Sequence, residues 1–231
     1  MGHNHATDSP ARAECSGDSC VPRSVRRAPG RIRAWGANLD PGNLREYIAM
    51  EDTALKVRLW QLALIPGLFQ TADYIRAQSV SAVSPDNIDH IERIVEVRLR
   101  RQARLLADCP LQVHAVIWEA ALRQLVGGPH VMGEQLAHLR EVAELPNVRI
   151  QVLPFRAGGY PGNGGPFNIL SFAEEGAVDV VHMDGLGSTA WVEGLEESAE
   201  YANLFGRLCA VSLSPFDSAQ LIESIGKGMS D

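Results

Sequence analysis

The spacing of apolar residues changes once along this chain, and that change limits what it can fold into. Before residue 110, apolar side chains recur every three or four positions. Ser84-Pro85-Asp86-Asn87 opens a helix whose stripe runs through Ile88, Ile91, Val95, Leu99, Gln102 and Leu106. From Leu111 the period falls to two, and Leu111 to Trp118 reads as a strand. Upstream, Asp40-Pro41 starts a helix, with an N-cap acceptor and proline at the first helical position. Leu44, Tyr47, Ile48, Leu55 and Leu59 mark its face through about residue 60. Pro66-Gly67 breaks the chain, and Thr71 caps a short helix carrying Tyr74 and Ile75.

Downstream, Glu119 to Arg123 reads as one helical turn and Pro129 to Leu145 as an amphipathic helix. Strands are expected at Val148 to Phe155, Phe167 to Phe172, Val178 to Met183 and Ser188 to Glu193, the last three as a meander. Helices at Glu196 to Val211 and from Ser214 to about Gly228 close the chain, the last with serine at the N-cap and proline behind it. Helices, then a mostly stranded middle, then helices make an α+β pattern rather than alternating βα units. The expectation is a helical N-terminal part, a mixed or antiparallel sheet of about five strands and two C-terminal helices.

The head of the chain differs from the body. Residues 1–45 hold seven arginines against four acids, whereas the whole chain carries a formal charge of -7. The head is rich in Pro, Gly and Ser and has no apolar period, so residues 1–38 read as a flexible basic arm whose end Trp35 can pin. Residues 39–231 form the folded domain. The net acidity argues against strong nonspecific nucleic-acid binding. No apolar run reaches the roughly 18–20 residues of a membrane span, and no apolar leader follows Met1. A cytoplasmic protein is expected. Lysine occurs twice, at 56 and 227, so the basic residues are nearly all arginine, a hint of a GC-rich genome.

Four cysteines at this length make no disulfide framework. Cys109 and Cys209 read as small buried hydrophobes. His3, His5, Cys15 and Cys20 offer soft and borderline donors that zinc accepts. Their irregular spacing and lack of a core favour a flexible tail with free or oxidisable thiols, and no metal or other cofactor is expected.

No dinucleotide or phosphate-loop motif, zinc-protease helix, nucleophile elbow or C-x-x-C occurs. The loop Ala157 to Pro166 packs five glycines into ten residues. It is either a plain connection or a binding-site rim presenting Tyr160 and Asn163. His182 and Asp184 share one strand face, and Trp191 and Glu193 share another. His114 faces the same way as Val116 and Trp118, and Glu119 and Arg123 stand one helical turn apart. A pocket collecting Glu119, Arg123, His182, Asp184 and Glu193 would have acid–base capacity, whereas separate polar strand ends would be structural. Arg98 and Arg101 lie beside an apolar helix stripe, where a guanidinium either snorkels or meets a partner or ligand anion.

Several stretches together resemble a known family. They are Ile65-Pro-Gly-Leu-Phe-Gln-Thr71 with Tyr74, Val97 with Arg101-Gln102, Glu119-Ala-Ala-Leu-Arg123 and Val126-Gly-Gly-Pro129. Leu145-Pro-Asn-Val148 through Phe155, Pro161 to Phe167 and Leu213-Ser-Pro215 continue the series. In this order they resemble the C-terminal domain of actinobacterial XRE-type, antitoxin-like helix-turn-helix regulators, domain of unknown function 5753. The likeness runs from about residue 44 to the end. It implies a regulator paired with a small partner protein and linked to development or antibiotic production. The family's DNA-reading module has no counterpart in residues 1–43, which lack a two-helix apolar pattern.

Two readings follow. In one, the domain is a stand-alone regulatory module that binds a small molecule or a partner protein, does not itself read DNA and touches no membrane, with homodimerisation a possibility its regulator descent opens. Its ligand-binding candidates are Gln70, Arg98, Arg101, Trp118, Arg123, Tyr160, Phe167, Trp191 and Glu193. In the other, the domain is recruited as a cofactor-independent cyclase, isomerase or lyase of specialised metabolism, with Glu119, His182 and Asp184 as its acid–base groups.

Overall fold

The structure is a computed structural model and describes residues 33–35, 41–82, 88–174, 176–185 and 188–229. The N-terminal ligand set at His3, His5, Cys15 and Cys20 lies outside these residues, as does the helix start read at Ser84 to Asn87. A short strand β1 (Arg33–Trp35) precedes helix α1 (Pro41–Thr53) and strand β2 (Lys56–Gln61). Helices α2 (Ala72–Ala82) and α3 (Ile88–Gln102) lead to strand β3 (Gln112–Trp118), the short helix α4 (Glu119–Arg123) and helix α5 (Gly128–Ala143). Strands β4 (Val148–Leu153), β5 (Phe167–Ser171), β6 (Val180–Gly185) and β7 (Ser188–Val192) follow. Helices α6 (Leu195–Val211) and α7 (Pro215–Lys227) close the described chain.

The strands form one mixed sheet of seven in the order β1-β7-β6-β5-β2-β3-β4. β2, β3 and β4 run parallel, while β5, β6 and β7 form the antiparallel meander that the glycine-containing turns predict. The fold is α+β as expected, with two strands more than the apolar pattern reveals. One is β1, inside the segment read as an arm, whose backbone sets Trp35 opposite Thr189. The other is β2, read as the tail of the first helix. The helix stops at Thr53, and the next residues alternate. Val57 and Leu59 face one side, and Arg58 and Trp60 the other. Both sides of β2 are covered, so Leu59 and Trp60 are both buried. A strand apolar on both faces has no clean period to announce it.

Cross-strand register assigns the two sheet faces. Leu59, Asn168, His182 and Trp191 stand opposite one another on one face. Arg58, Ile169, Val181 and Val192 do so on the other. The first face packs under α1, α2, α4, α5 and α7, through Tyr47, Tyr74, Leu122, Met132, Leu136 and Ile222. The second packs under α6 and the glycine loop, through Trp60, Val116, Phe167, Phe205 and Leu208. Each such buried aliphatic or aromatic side chain is worth about 1.5–3 kcal/mol relative to exposure.

Polar side chains fasten the layers where the backbone would otherwise be unpaired. Ser218 Oγ accepts from Val152 N at 2.8 Å on the outer edge of β4. Asn147 donates to Leu105 O and Leu111 O, fixing the turn into β4. Ser214 caps α7 by accepting from Asp217 N at 3.1 Å, as its Ser-Pro start predicts.

Candidate functional site

The most polar part of the interior lies between α1, α3 and the β6–β7 hairpin. It begins with the motif Pro66 to Thr71, which is clamped by glutamines. Gln135 donates to Phe69 O and accepts from Thr71 N, both at 2.7 Å. Gln102 Nε2 donates to Gln70 O at 2.7 Å, and Gln70 Nε2 donates to Ile65 O at 2.7 Å. The clamp leaves the Gln70 side-chain oxygen pointing at α3.

Arg98 and Arg101 lie three residues apart on α3 and therefore on one face. Arg101 donates through Nε and Nη2 to the two oxygens of Glu51, at 2.8 and 2.9 Å. This is the side-on fork that suits a carboxylate. Glu51 comes from α1 and is fully buried. A Cβ on Gly67 would stand 3.6 Å from Arg101 Nη1, so the motif's glycine leaves room for the guanidinium. Burial pulls the Arg101 pKa down, but the Glu51 carboxylate more than offsets it, and the group is held above its ordinary value.

Arg98 has no carboxylate. Its Nη1 donates to the side-chain oxygens of Gln70 and Gln78, at 2.6 and 2.9 Å. Its Nε and Nη2 meet no acceptor among the described residues. Burial, and then the neighbouring Arg101 charge, hold its pKa below the ordinary arginine value. A guanidinium nonetheless stays charged at any physiological pH.

Three rings complete the cluster. His182 lies 4.6 Å from Tyr47 and 4.5 Å from Trp191, measured between ring centroids. The Arg101 guanidinium carbon is 5.3 Å from the Tyr47 ring centre, a cation–π distance. Burial, then the Glu51 carboxylate, push the Tyr47 phenol well above its ordinary pKa. His182 is only 5% exposed, and its Nδ1 is buried without a hydrogen-bond partner. Burial lowers its pKa to about 4 against the opposing pull of Asp184, so the ring is neutral near pH 7. Asp184 is exposed and accepts from Thr189 Oγ1 at 3.0 Å. Its charge acts on His182, Tyr47 and Arg98 together.

The structure thus brings Gln70, Arg98, Arg101, His182, Asp184 and Trp191 to one neighbourhood. Glu193 follows β7 on the same face, half-buried. The other candidates stand elsewhere. Glu119 is buried at the end of β3, where it pairs with Arg123 at 2.7 Å and accepts from Phe155 N at 2.8 Å. Sheet register sets it three strands and four residues from His182, on the order of 20 Å. The mixed set of Glu119, Arg123, His182, Asp184 and Glu193 is therefore not one pocket. Tyr160 packs between Trp60 and Trp118, each 5.8 Å away, and Phe167 packs on Tyr201 at 5.2 Å. Both belong to the α6 side of the sheet.

The glycine loop is built onto the same side. Trp60 Nε1 donates to Gly162 O at 3.0 Å, and Gly162 has a φ of +88°. A Cβ there would press to 3.1 Å on Trp60 Nε1 and 3.2 Å on Leu208. Asn163 is exposed. The cysteines read as small buried hydrophobes are half-buried instead: Cys109, after the end of α3, is disulfide-bonded, and Cys209 is a thiol on the flank of α6. Cys209 Sγ is 3.7 Å from His114 Nε2, which also faces Gln151 Oε1 at 2.8 Å.

Tyr47, Glu51 and Gln78 escape the sequence reading. A signal was present for one of them. Glu51 falls four residues after Tyr47 and three after Ile48, which places a carboxylate on the buried stripe. A groove of about 480 Å³ lies away from the cluster, between α5, α7 and β4, lined by Arg140, Arg149 and Phe216 among others. Arg123 borders a smaller one of about 220 Å³ beside Ser224 and Met229. No group of three His, Cys, Asp or Glu side chains is set to hold a metal among the described residues. Among them, no helix is long and apolar enough to cross a membrane.

The mixed sheet, its two helical layers and the arginine-bearing cluster define an α+β domain with a polar interior on one sheet face. Residues 44–224 match the family described as Domain of unknown function (DUF5753), and the chain belongs to that family. No curated protein matches it.

Proposed function

We propose that this chain is a regulatory sensor domain of a transcription-regulator family, of the XRE type in actinobacteria. It captures a small molecule, or a small partner protein, through the cluster between α1, α3 and the β6–β7 hairpin. The observation that carries this reading is Arg98. A half-buried guanidinium is well served by a carboxylate, as Arg101 is by Glu51 one turn away. Arg98 meets only two amide oxygens, an arrangement suited to a charge kept for an incoming group. The net charge of -7 supports a domain that leaves DNA to another protein or module. The test is equilibrium dialysis of the purified protein against a small-molecule extract of its own cells, read by mass spectrometry. A compound retained by the wild type and lost from Arg98→Met is expected. Identical retention by both would refute the reading.

A second reading, recruitment as a cofactor-independent cyclase, isomerase or lyase, has one observation in its favour. His182 is a neutral imidazole with a buried, unpartnered nitrogen, the state a general base requires. Turnover of an intermediate from a neighbouring biosynthetic pathway, abolished in His182→Gln, would support it. Absence of turnover would leave the sensor reading alone.

A further inference from the structure

Resting on the sensor reading, we infer that the ligand of this cluster is a small organic carboxylate, held side-on by Nε and Nη2 of Arg98. The argument comes from two arginines on one helix face. Arg101 uses its Nε and Nη2 edge to grip both oxygens of Glu51. Arg98 is three residues earlier, and the protein consumes only its Nη1, through Gln70 and Gln78. The edge that remains is the one its neighbour devotes to a carboxylate. Two parallel N–H groups fit a planar, two-oxygen anion better than they fit a single carbonyl. The glutamine pair also orients the guanidinium in advance, which lowers the cost of ordering it on binding.

A second observation is independent of Arg98. His182 Nδ1 is buried and unpartnered, in a residue 5% exposed, and Asp184 lies within electrostatic reach of both groups. Unmatched hydrogen-bonding atoms of this kind are rare in folded interiors. Together with the open edge of the half-buried Arg98, the buried His182 nitrogen points to a ligand carrying more than one polar atom. Of the carboxylates near the cluster, Glu51 is neutralised by Arg101, and Asp184 sits at the exposed margin, engaged by Thr189.

The experiment uses benzoate and benzamide, which share size and shape and differ in charge. Saturation-transfer NMR at fixed ionic strength gives a dissociation constant for each, on wild type, Arg98→Met and Arg98→Lys. The lysine variant keeps the charge and a donor for the glutamines but lacks the fork, and it serves if the methionine variant fails to fold. The expected result is benzoate bound at least about tenfold more tightly than benzamide by the wild type, with that preference lost in either variant. Equal binding of the two probes, or a benzoate preference that survives both substitutions, overturns the carboxylate inference. Binding by neither probe also counts against it. The sensor reading fails separately, when dialysis retains nothing in an Arg98-dependent way. A retained neutral compound would keep that reading and end this one.

Discussion

The two faces of the sheet handle buried polarity in different ways. Under α6, most polar groups are matched to backbone or to one another, although Arg58 Nε is buried without a partner beside the Arg58–Asp179 ion pair. Trp60 Nε1 donates to Gly162 O, Gln151 donates to Leu213 O, and Arg58 pairs with Asp179. Those contacts fasten a loop, a helix end and a strand end. Under α1 and α3, Glu51 and Arg101 are matched, but Arg98 and His182 are left with capacity to spare. A fold that needed polarity there only for stability would do as well with apolar side chains of similar volume. The comparison sets a face whose polar contacts chiefly fasten the fold against one where Arg98 and His182 keep hydrogen-bonding capacity to spare.

The largest expected effect comes from cutting the matched pair. Glu51→Ala leaves Arg101 buried and unpaired and should cost about 3–5 kcal/mol in urea unfolding. The double variant Glu51→Met with Arg101→Met should recover most of that loss. If the single and double variants lose the same amount, the pair is not a coupled unit.

Acid is the next probe. The folded His182 pKa is depressed to about 4, against an ordinary value of 6.5, so the unfolded chain binds the extra proton throughout that window. Stability from this residue is complete above pH 6.5 and falls as pH drops, by about 3 kcal/mol on reaching pH 4. Urea unfolding across this range should show the slope, and His182→Phe should flatten it. An unchanged slope in the variant would place the titration elsewhere.

On the α6 face, Gly162→Ala should cost about 1–2 kcal/mol, because an L side chain must adopt the left-handed region. Crowding of Trp60 and Leu208 adds to that cost. Trp60→Phe, which gives up the indole donor, should lose about 1 kcal/mol. Thermal unfolding measures both, and ligand binding at the other face should be unaffected in each.

Part of this arrangement is legible in the sequence and part is not. The Ser-Pro start of α7, the amphipathic stripes of α3 and α5 and the meander all carry local signals. Strand β2 does not, because both its faces are buried. The site divides in the same way. Arg98 and Arg101 are visible as guanidinium groups beside an apolar stripe. His182 and Asp184 are visible as alternate residues of one strand. That these four meet, and that Glu119 stands apart, is decided by strand order. β5 and β2 lie between β6 and β3, and nothing in the local pattern of any one strand states that. Gln78 carries no local signal at all, since its role depends on how α2 packs on α3.

The smallest expected effect is the most informative. Unfolding free energies of Arg98→Met and Arg101→Met, measured side by side in urea, separate an arginine kept for a ligand from one kept for the fold. Arg98→Met should cost about 1 kcal/mol or less, since relief of a desolvated charge offsets the loss of two amide contacts. Arg101→Met should cost about 3–5 kcal/mol, since it strands Glu51. A loss at Arg98 as large as that at Arg101 would show that its guanidinium supports the fold, and would contradict the assignment of this face to recognition.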